Sequence, residues 1–476
     1  MLMSQKRGTL MYPKEISESS IAINDVLTKL QLLQKQAENN FSSYARTIYL
    51  SKVQSRFPHL FTPTYDGCFI KIKHSYLEDD SAFIDLEQAL VIKLHEQQQI
   101  LWSTLADRIL PFDVVGTQCV NDSIELVFAS KVGAFTLIGG NFSVWLNPDN
   151  IPIENTVAIF YYLTKSLDSR ISVEPDHGET YEIPVTLTFG HHYAQHFNHQ
   201  LRQNTADPRL QFRINVGLSK KIKGKIRSIT LTLEPFSCGD NFKGNLVKAF
   251  HTNIFPMANQ RYMLSDSFIM DGDHDVYWFG VEKDHDTPFM LHEVLTVYAD
   301  QKKLDTLDYK IIYQANKVGV EFNNISKVLH KSICADVYIS CGVNKSLMDG
   351  HRNASVKWFS QSLDTYQLKV LNLFLTSEQV SSQYNVEKLF AILEIPNIHQ
   401  WRLQEWKSLL KLSDISAVIP INHFLDEVVL SQDHNVKLYF KNVPELKRYW
   451  VCFYLKHLEK FIVKNSHHLI KIQGVF

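Results

Sequence analysis

The sequence predicts a multidomain α+β fold with a long N-terminal helix, a central antiparallel β-rich domain and a C-terminal α+β domain. Three observations predict it. Between Ile23 and Ile48 apolar residues recur at three- and four-residue spacing, the period of an amphipathic helix. Over residues 171–322 the period falls to two, as in antiparallel sheet with one wet face. Residues 436–476 then read as strand, aromatic helix and strand. The boundaries that follow are 1–60 for an N-terminal arm and helix, 61–170 for a mixed α/β domain, 171–322 for the β-rich, sandwich-like domain, and 323–476 for the C-terminal α+β domain.

The N-terminal helix is expected over about residues 19–53, with Leu27, Leu30, Leu33 and Phe41 on its apolar stripe. A stripe of this length needs a cover, either its own domain or a helix of another chain. Phe57-Pro58 and Thr62-Pro63 break the pattern. A strand is expected at 68–73 and a helix over about 86–110, carrying Leu90, Leu94, Ile100, Leu101 and Leu105. Strands are expected at 124–129, 134–138 and 141–147, and an apolar helix at 156–167.

In the β-rich stretch, Ile183, Val185, Leu187 and Phe189 alternate. So do Leu210, Phe212, Ile214, Val216 and Leu218, and then Ile229, Leu231 and Leu233. The pair 309–313 and 319–322 closes it. Beyond it, 335–341 reads as a strand, 363–375 and 386–393 as helices, and Trp401, Leu403, Trp406, Leu409 and Leu410 as a short helix. In the terminal unit Val436, Leu438 and Phe440 alternate. Asn442 with Glu445 forms a potential capping box, and Pro444 suits the first helical turn. Leu446, Trp450, Phe453, Leu458 and Phe461 line one helix face. Tyr449, Tyr454 and Ile462 widen it, enough for the domain core or for contact with a second copy.

Composition narrows the function. The 476 residues are 45% hydrophobic and 12% aromatic, with 29 Phe and 20 Tyr, so the chain is globular. With 49 basic and 50 acidic residues, no overall field favours nucleic acid or an anionic membrane. No apolar run reaches the roughly 20 residues of a membrane span, and the N-terminus lacks a signal-peptide core. Six scattered cysteines without a C-x-x-C read as reduced thiols. These features together predict a soluble, cytoplasmic protein.

Few residues suggest chemistry. His191, His192, His196 and His199 lie close together, and His192 with His196 has the four-residue spacing of a helical zinc pair. The Glu of H-E-x-x-H is missing, however, and a solvated loop is the plainer reading. Asp271, Asp273 and Asp275 begin like a calcium loop, but Val276 stands where the turn needs Gly. A hydrophilic turn is the plainer reading there. Lys220, Lys221, Lys223, Lys225 and Arg227 surround Gly224, as in a charged turn between strands or a docking patch for an acidic surface. Phosphate-binding glycine motifs and the G-x-S-x-G elbow are absent from the sequence. No catalytic residue, cofactor or metal is expected.

Three stretches, in order, resemble one family. They are AFHTNIFPMANQRYMLSD at 249–266, with Thr252, Asn253, Ile254 and Phe255 at its turn; ADVYISCGVNKSL at 335–347; and the terminal strand–helix–strand unit. The 275–281 strand and the 158–163 helix fit the same order. The family is the TssF (VasA-type) baseplate subunit of bacterial type VI secretion systems, and the chain resembles a divergent branch of it, such as the IglH type. The chain is shorter than is usual for the family, and its N-terminal third matches it least. The resemblance implies a structural wedge component working at the cytoplasmic face of the inner membrane. The implied partners are a second copy of itself, a TssG-like wedge subunit, a TssK-like adaptor, a TssE-like sheath initiator and a VgrG-like spike hub. Nucleic acid and direct membrane insertion are not implied. The residues alone leave two other readings: a metal-dependent hydrolase using the His191–His199 cluster, or a β-sandwich module binding carbohydrate or protein.

Overall fold

The computed structural model describes residues 34–36, 66–73, 77–94, 97–120, 123–146, 153–164, 168–190, 208–234, 249–281, 289–314, 317–342, 355–358, 366–374, 401–410, 421–431, 435–466 and 470–476. These residues are mostly strands. The α+β assignment is therefore corrected to a β-rich, multi-sheet fold. Of the expected long N-terminal helix only residues 34–36 are described. They are helical and exposed, and the rest of that expectation lies outside the described residues.

An eight-stranded antiparallel sheet forms the largest layer. Its order is Phe250–His251, Asn141–Leu146, Arg213–Leu218, Tyr181–Phe189, Asp168–Pro175, Ile226–Glu234, Ser123–Ala129 and Asp113–Val120. The strand Tyr181–Phe189 is shared along its length. Residues 181–184 pair with Asp168–Pro175, and residues 185–189 with Arg213–Leu218. The sheet curls so that Phe128 and Phe142, on strands far apart in this order, meet edge to face at 5.4 Å with Phe112 against both. Strict alternation in the sequence dictates this layer. Ile171, Val173, Ile229, Leu231, Ile214 and Val216 are fully buried, whereas Ser172, Asn215 and Thr230 between them are partly exposed.

The C-terminal unit shares this core. Asn435–Phe440 and Lys471–Val475 run parallel, joined by the helix Glu445–Ser466, with Leu425–Leu430 antiparallel on the outer edge. Parallel neighbours need such a crossover, because a short turn cannot reverse the chain twice. The capping box is a correction. Asn442 adopts a left-handed conformation, φ 58°, at the bend from strand to helix. The carbonyl of Pro444 instead accepts from the Lys447 and Arg448 amides, so the helix begins at Glu445, two residues later than a cap at Asn442 would set it.

A six-stranded sheet has the order Ser355–Trp358, Ala89–Leu94, Gln97–Ser103, Ile254–Ala258, Gly67–Lys73 and Gln367–Phe374. Two expected helices are strands here, at 86–110 and at 363–375. Leu90, Leu94 and Leu101 fit a helical period. Leu90 and Ile92 also alternate with Val91 and Lys93, and the sheet buries Leu90 and Ile92 completely. Short apolar runs satisfy both periods, and pairing with distant strands decides between them. Residues 134–138 make isolated bridges, Phe135 with Ile226 and Thr136 with Asp79, rather than a strand.

Between Ile254–Ala258 and Ser355–Trp358 the chain builds an inserted unit with its own core. A five-stranded sheet centres on Ser332–Cys341, flanked by Gln260–Leu264 and Phe289–Ala299. A three-stranded sheet of Tyr277–Trp278, Lys317–Phe322 and Tyr309–Gln314 packs with it. Gly319 is required at this crossing, since a Cβ there would lie 2.7 Å from the Tyr277 carbonyl.

Candidate functional site: the joints and the open surfaces

One short run, 249–264, threads all three cores. Phe250–His251 ends the eight-stranded sheet, Ile254–Ala258 lies in the six-stranded sheet, and Gln260–Leu264 enters the inserted unit. The two bends between these strands carry buried polar side chains. Such groups cannot be left without partners inside a protein, so each bend becomes a fixed joint.

At the first joint Asn253 is left-handed, φ 56°, and 4% exposed. Its Oδ1 accepts from the Leu110 amide at 2.7 Å and its Nδ2 donates to the Leu110 carbonyl at 2.9 Å. Thr252 Oγ1 donates to the Phe112 carbonyl at 3.0 Å and to Asp113 Oδ1 at 2.8 Å, and Lys71 Nζ pairs with Asp113 at 2.7 Å. Beside them burial, reinforced by Lys71, pushes His251 down to about 4, so it is neutral near pH 7. Asp107 accepts from Ser143 at 2.6 Å and pairs with Arg213. Trp145 reaches from the eight-stranded sheet into the core of the six-stranded sheet, edge to face with Phe69 at 5.8 Å.

The second joint is the base of the inserted unit. Asn259 Oδ1 accepts from the Asp66 amide at 2.9 Å and Nδ2 donates to the Cys341 carbonyl at 2.8 Å. The Cys341 amide donates back to the Asn259 carbonyl at 2.9 Å. The Arg261 guanidinium lies 4.8 Å from the Trp102 ring of the six-stranded sheet and 5.9 Å from the Phe289 ring of the inserted unit. Glu87, itself at φ 60°, accepts from the Tyr262 amide at 2.9 Å.

A third joint docks the terminal helix. Phe160, on the helix Ile153–Leu163, touches Phe212 at 5.2 Å, Phe189 at 5.7 Å and Phe453 at 6.4 Å. Tyr449 packs on Tyr161 and shares a hydroxyl–hydroxyl hydrogen bond with Tyr162.

The structure places the sequence-derived candidates as follows. Tyr454 and Ile462 are buried in the chain's own core at 3% and 0% exposure, and Tyr449 is half-buried against the Ile153–Leu163 helix. Leu27, Leu30, Leu33 and Phe41 lie outside the described residues, as do His191, His192, His196 and His199. Asp271, Asp273 and Asp275 form an exposed turn in which Asp271 accepts from the Tyr277 hydroxyl and the Asp273 amide. These bonds hold the Asp271 carboxyl below its usual range. Among the described residues no cluster of three or more His, Cys, Asp or Glu is arranged to hold a metal. Burial pushes the thiols of Cys68 and Cys341 up to about 12, which leaves them inert. The polar joints gave no motif signal of their own, although Asn253 and Asn259 both lie in the 249–266 stretch that carries the resemblance.

The open surfaces are apolar in places. Ile325 and Leu329, at 40% and 37% exposure, flank Gly272 on the inserted unit, where Ile269 is also exposed at 63%. Val429, Leu430 and Phe476 are exposed on the terminal sheet.

One chain of the solved type VI secretion system TssK-TssF-TssG baseplate subcomplex superimposes with a TM-score of 0.61, covering 93% of this chain and 94% of that chain at 10% identity. This chain has the fold of a subunit of that subcomplex. The assembly is the one to which the sequence resemblance points. The N-terminal domain of the Streptococcus gordonii adhesin Sgo0707 overlaps 53% of this chain at a TM-score of 0.10, which carries no argument. No family model and no curated protein matches the chain.

Proposed function

We propose that this chain is a structural, non-catalytic wedge subunit of a type VI secretion baseplate, in the position of TssF. The observation that carries the reading is the match over nearly the whole of both chains. The joints support it. A wedge transmits geometry, and three cores locked by buried hydrogen bonds and aromatic contacts keep their relative positions under load. A TssG-like and a TssK-like subunit are the proposed partners, following the composition of the matched subcomplex. A second copy, a TssE-like sheath initiator and a VgrG-like hub follow from the resemblance. The assembly would lie in the cytoplasm against the inner membrane. Among the described residues no helix is long and apolar enough to cross a membrane. The hydrolase and carbohydrate-module readings are not favoured by the match.

The test is co-expression with the TssG-like and TssK-like proteins encoded by the same genome, followed by affinity capture through the TssK-like protein and native mass spectrometry. The expected result is one complex containing all three proteins. Elution of this chain alone, while the other two remain together, overturns the reading.

A further inference from the structure

The Lys220–Lys225 turn is built as a frame and not as a loose loop. It joins Arg213–Leu218 to Ile226–Glu234 at one end of the eight-stranded sheet. Ile222, in the middle of the turn, is 6% exposed and belongs to the large core, while Lys220, Lys221, Lys223 and Lys225 around it are exposed. Gly224, at φ 85°, makes the tight reversal that lets Ile222 turn inward between charged neighbours. Both ends are tied. The Leu218 amide donates to the Gly140 carbonyl at 2.9 Å, and the Asp176 amide donates to the Lys225 carbonyl at 2.9 Å.

The segment between Phe135 and Gly140 spans the same two strand ends. Phe135 exchanges both backbone hydrogen bonds with Ile226, at 2.9 and 2.8 Å. Asp80 fixes this segment by accepting from the Ile138 and Gly139 amides at 2.6 and 3.0 Å. Ile138 is 49% exposed on it, and Lys131 and Val132, just before it in the chain, are exposed too, Val132 at 51%. Of the carboxylates beside the frame, Asp80 is engaged by these amides and Arg108, Asp79 by the Ser81 amide and Asp176 by Arg227, while Glu78, whose carbonyl accepts from the Thr136 amide, is exposed. Among the described residues no carboxylate forms an ion pair with Lys131, Lys220, Lys221, Lys223 or Lys225. A chain of net charge −1 thus concentrates five lysines and two exposed aliphatic side chains on one rigid end.

We infer that this end of the eight-stranded sheet is a docking surface for an acidic protein segment that carries aliphatic side chains. The lysines supply long-range attraction and orientation, and Val132 and Ile138 supply the apolar contact that a purely electrostatic encounter lacks. Aliphatic side chains among the charges favour a protein partner, since a nucleic-acid surface calls for phosphate contacts and stacking platforms. The inference does not depend on the baseplate reading, because it rests on the frame alone.

The test uses the full chain and a fluorescent synthetic peptide of glutamates interrupted by leucines, with binding read by anisotropy at low and at physiological ionic strength. Replacing Lys220, Lys221, Lys223 and Lys225 together with Glu should weaken binding at least about tenfold, with Gln in their place having a smaller effect. The lysines are exposed, so both variants should keep the wild-type melting temperature, and the Gln variant decides the matter if the Glu variant does not fold. Val132→Asp with Ile138→Asp should also weaken binding while leaving every lysine in place. Unchanged affinity in the lysine variants overturns the proposal. So does tighter binding of a DNA duplex or of phosphatidylglycerol vesicles than of the peptide through the same lysines.

Discussion

The Asn259 side chain donates to the Cys341 carbonyl at 2.8 Å, closing the base of the inserted unit where its first and last strands meet. The same side chain accepts from the Asp66 amide, so one amide group ties the unit to the start of the six-stranded sheet. Asn259→Ala would strand the part-buried Asp66 N–H and the buried Cys341 carbonyl, at a cost of about 2 kcal/mol. Asn259→Asp would keep the acceptor and lose the donor, and should fall between wild type and Ala. Hydrogen exchange should show the loss first in 260–264 and 332–341, with the eight-stranded sheet protected as before. Uniform loss of protection across the chain would contradict a local joint.

Asn253 combines a left-handed backbone with two side-chain hydrogen bonds to the Leu110 backbone. The two contributions can be separated. Asn253→Gly keeps the backbone conformation and loses the bonds, whereas Asn253→Ala loses both. Gly should destabilise by about 2 kcal/mol through the unpaired Leu110 groups, and Ala by about 1 kcal/mol more from strain. Denaturant midpoints measured at constant slope would check the order, and equal midpoints for the two variants would remove the strain from the account.

Phe160 is the ring on which the sheet and the terminal helix converge. Phe160→Ala should destabilise by about 3–5 kcal/mol. Tyr449→Phe, which removes only the half-buried hydroxyl contact with Tyr162, should change stability by about 1 kcal/mol or less. Limited proteolysis should release a C-terminal fragment from the Phe160 variant alone. If Tyr449→Phe were the more damaging, the hydroxyl pair and not the aromatic packing would hold the terminal helix.

What the sequence disclosed follows from the range of the forces involved. The terminal strand, helix and strand were legible because their pattern is local. So were the Tyr309–Gln314 and Lys317–Phe322 pair and the strand Ser332–Cys341. The six-stranded sheet was not, because its strands come from residues 67–103, 254–258 and 355–374 and stabilise one another only across those separations. Leu90 and Leu101 carry apolar character in either conformation, and the partner strand that decides between them is remote in sequence. The joints were hidden for a related reason. Asn259 and Arg261 read as ordinary polar residues until the fold surrounds them. The basic turn was legible because Gly224 and its flanking strands are all local.

Glu293 gives the inserted unit a pH dependence that can be isolated. It is 7% exposed, and burial pushes its carboxyl from an ordinary 4.5 up to about 7. A raised folded-state value means that the folded chain holds the proton where the unfolded chain has released it. Glu293 therefore stabilises the unit relative to its charged form at low pH, and this advantage is lost as pH rises from 4.5 through 7. The adjacent His292, held by burial at about 4, acts in the opposite sense, losing stability as pH falls below 6.5. Whole-protein pH profiles mix the two, but Glu293→Gln changes only one. The variant should be the more stable near pH 8, and its advantage should shrink by about 2 kcal/mol by pH 5 as wild-type Glu293 becomes protonated. Melting curves of both proteins across that range measure the difference directly. A constant offset between them would show that Glu293 keeps the same charge in the folded and unfolded chain throughout.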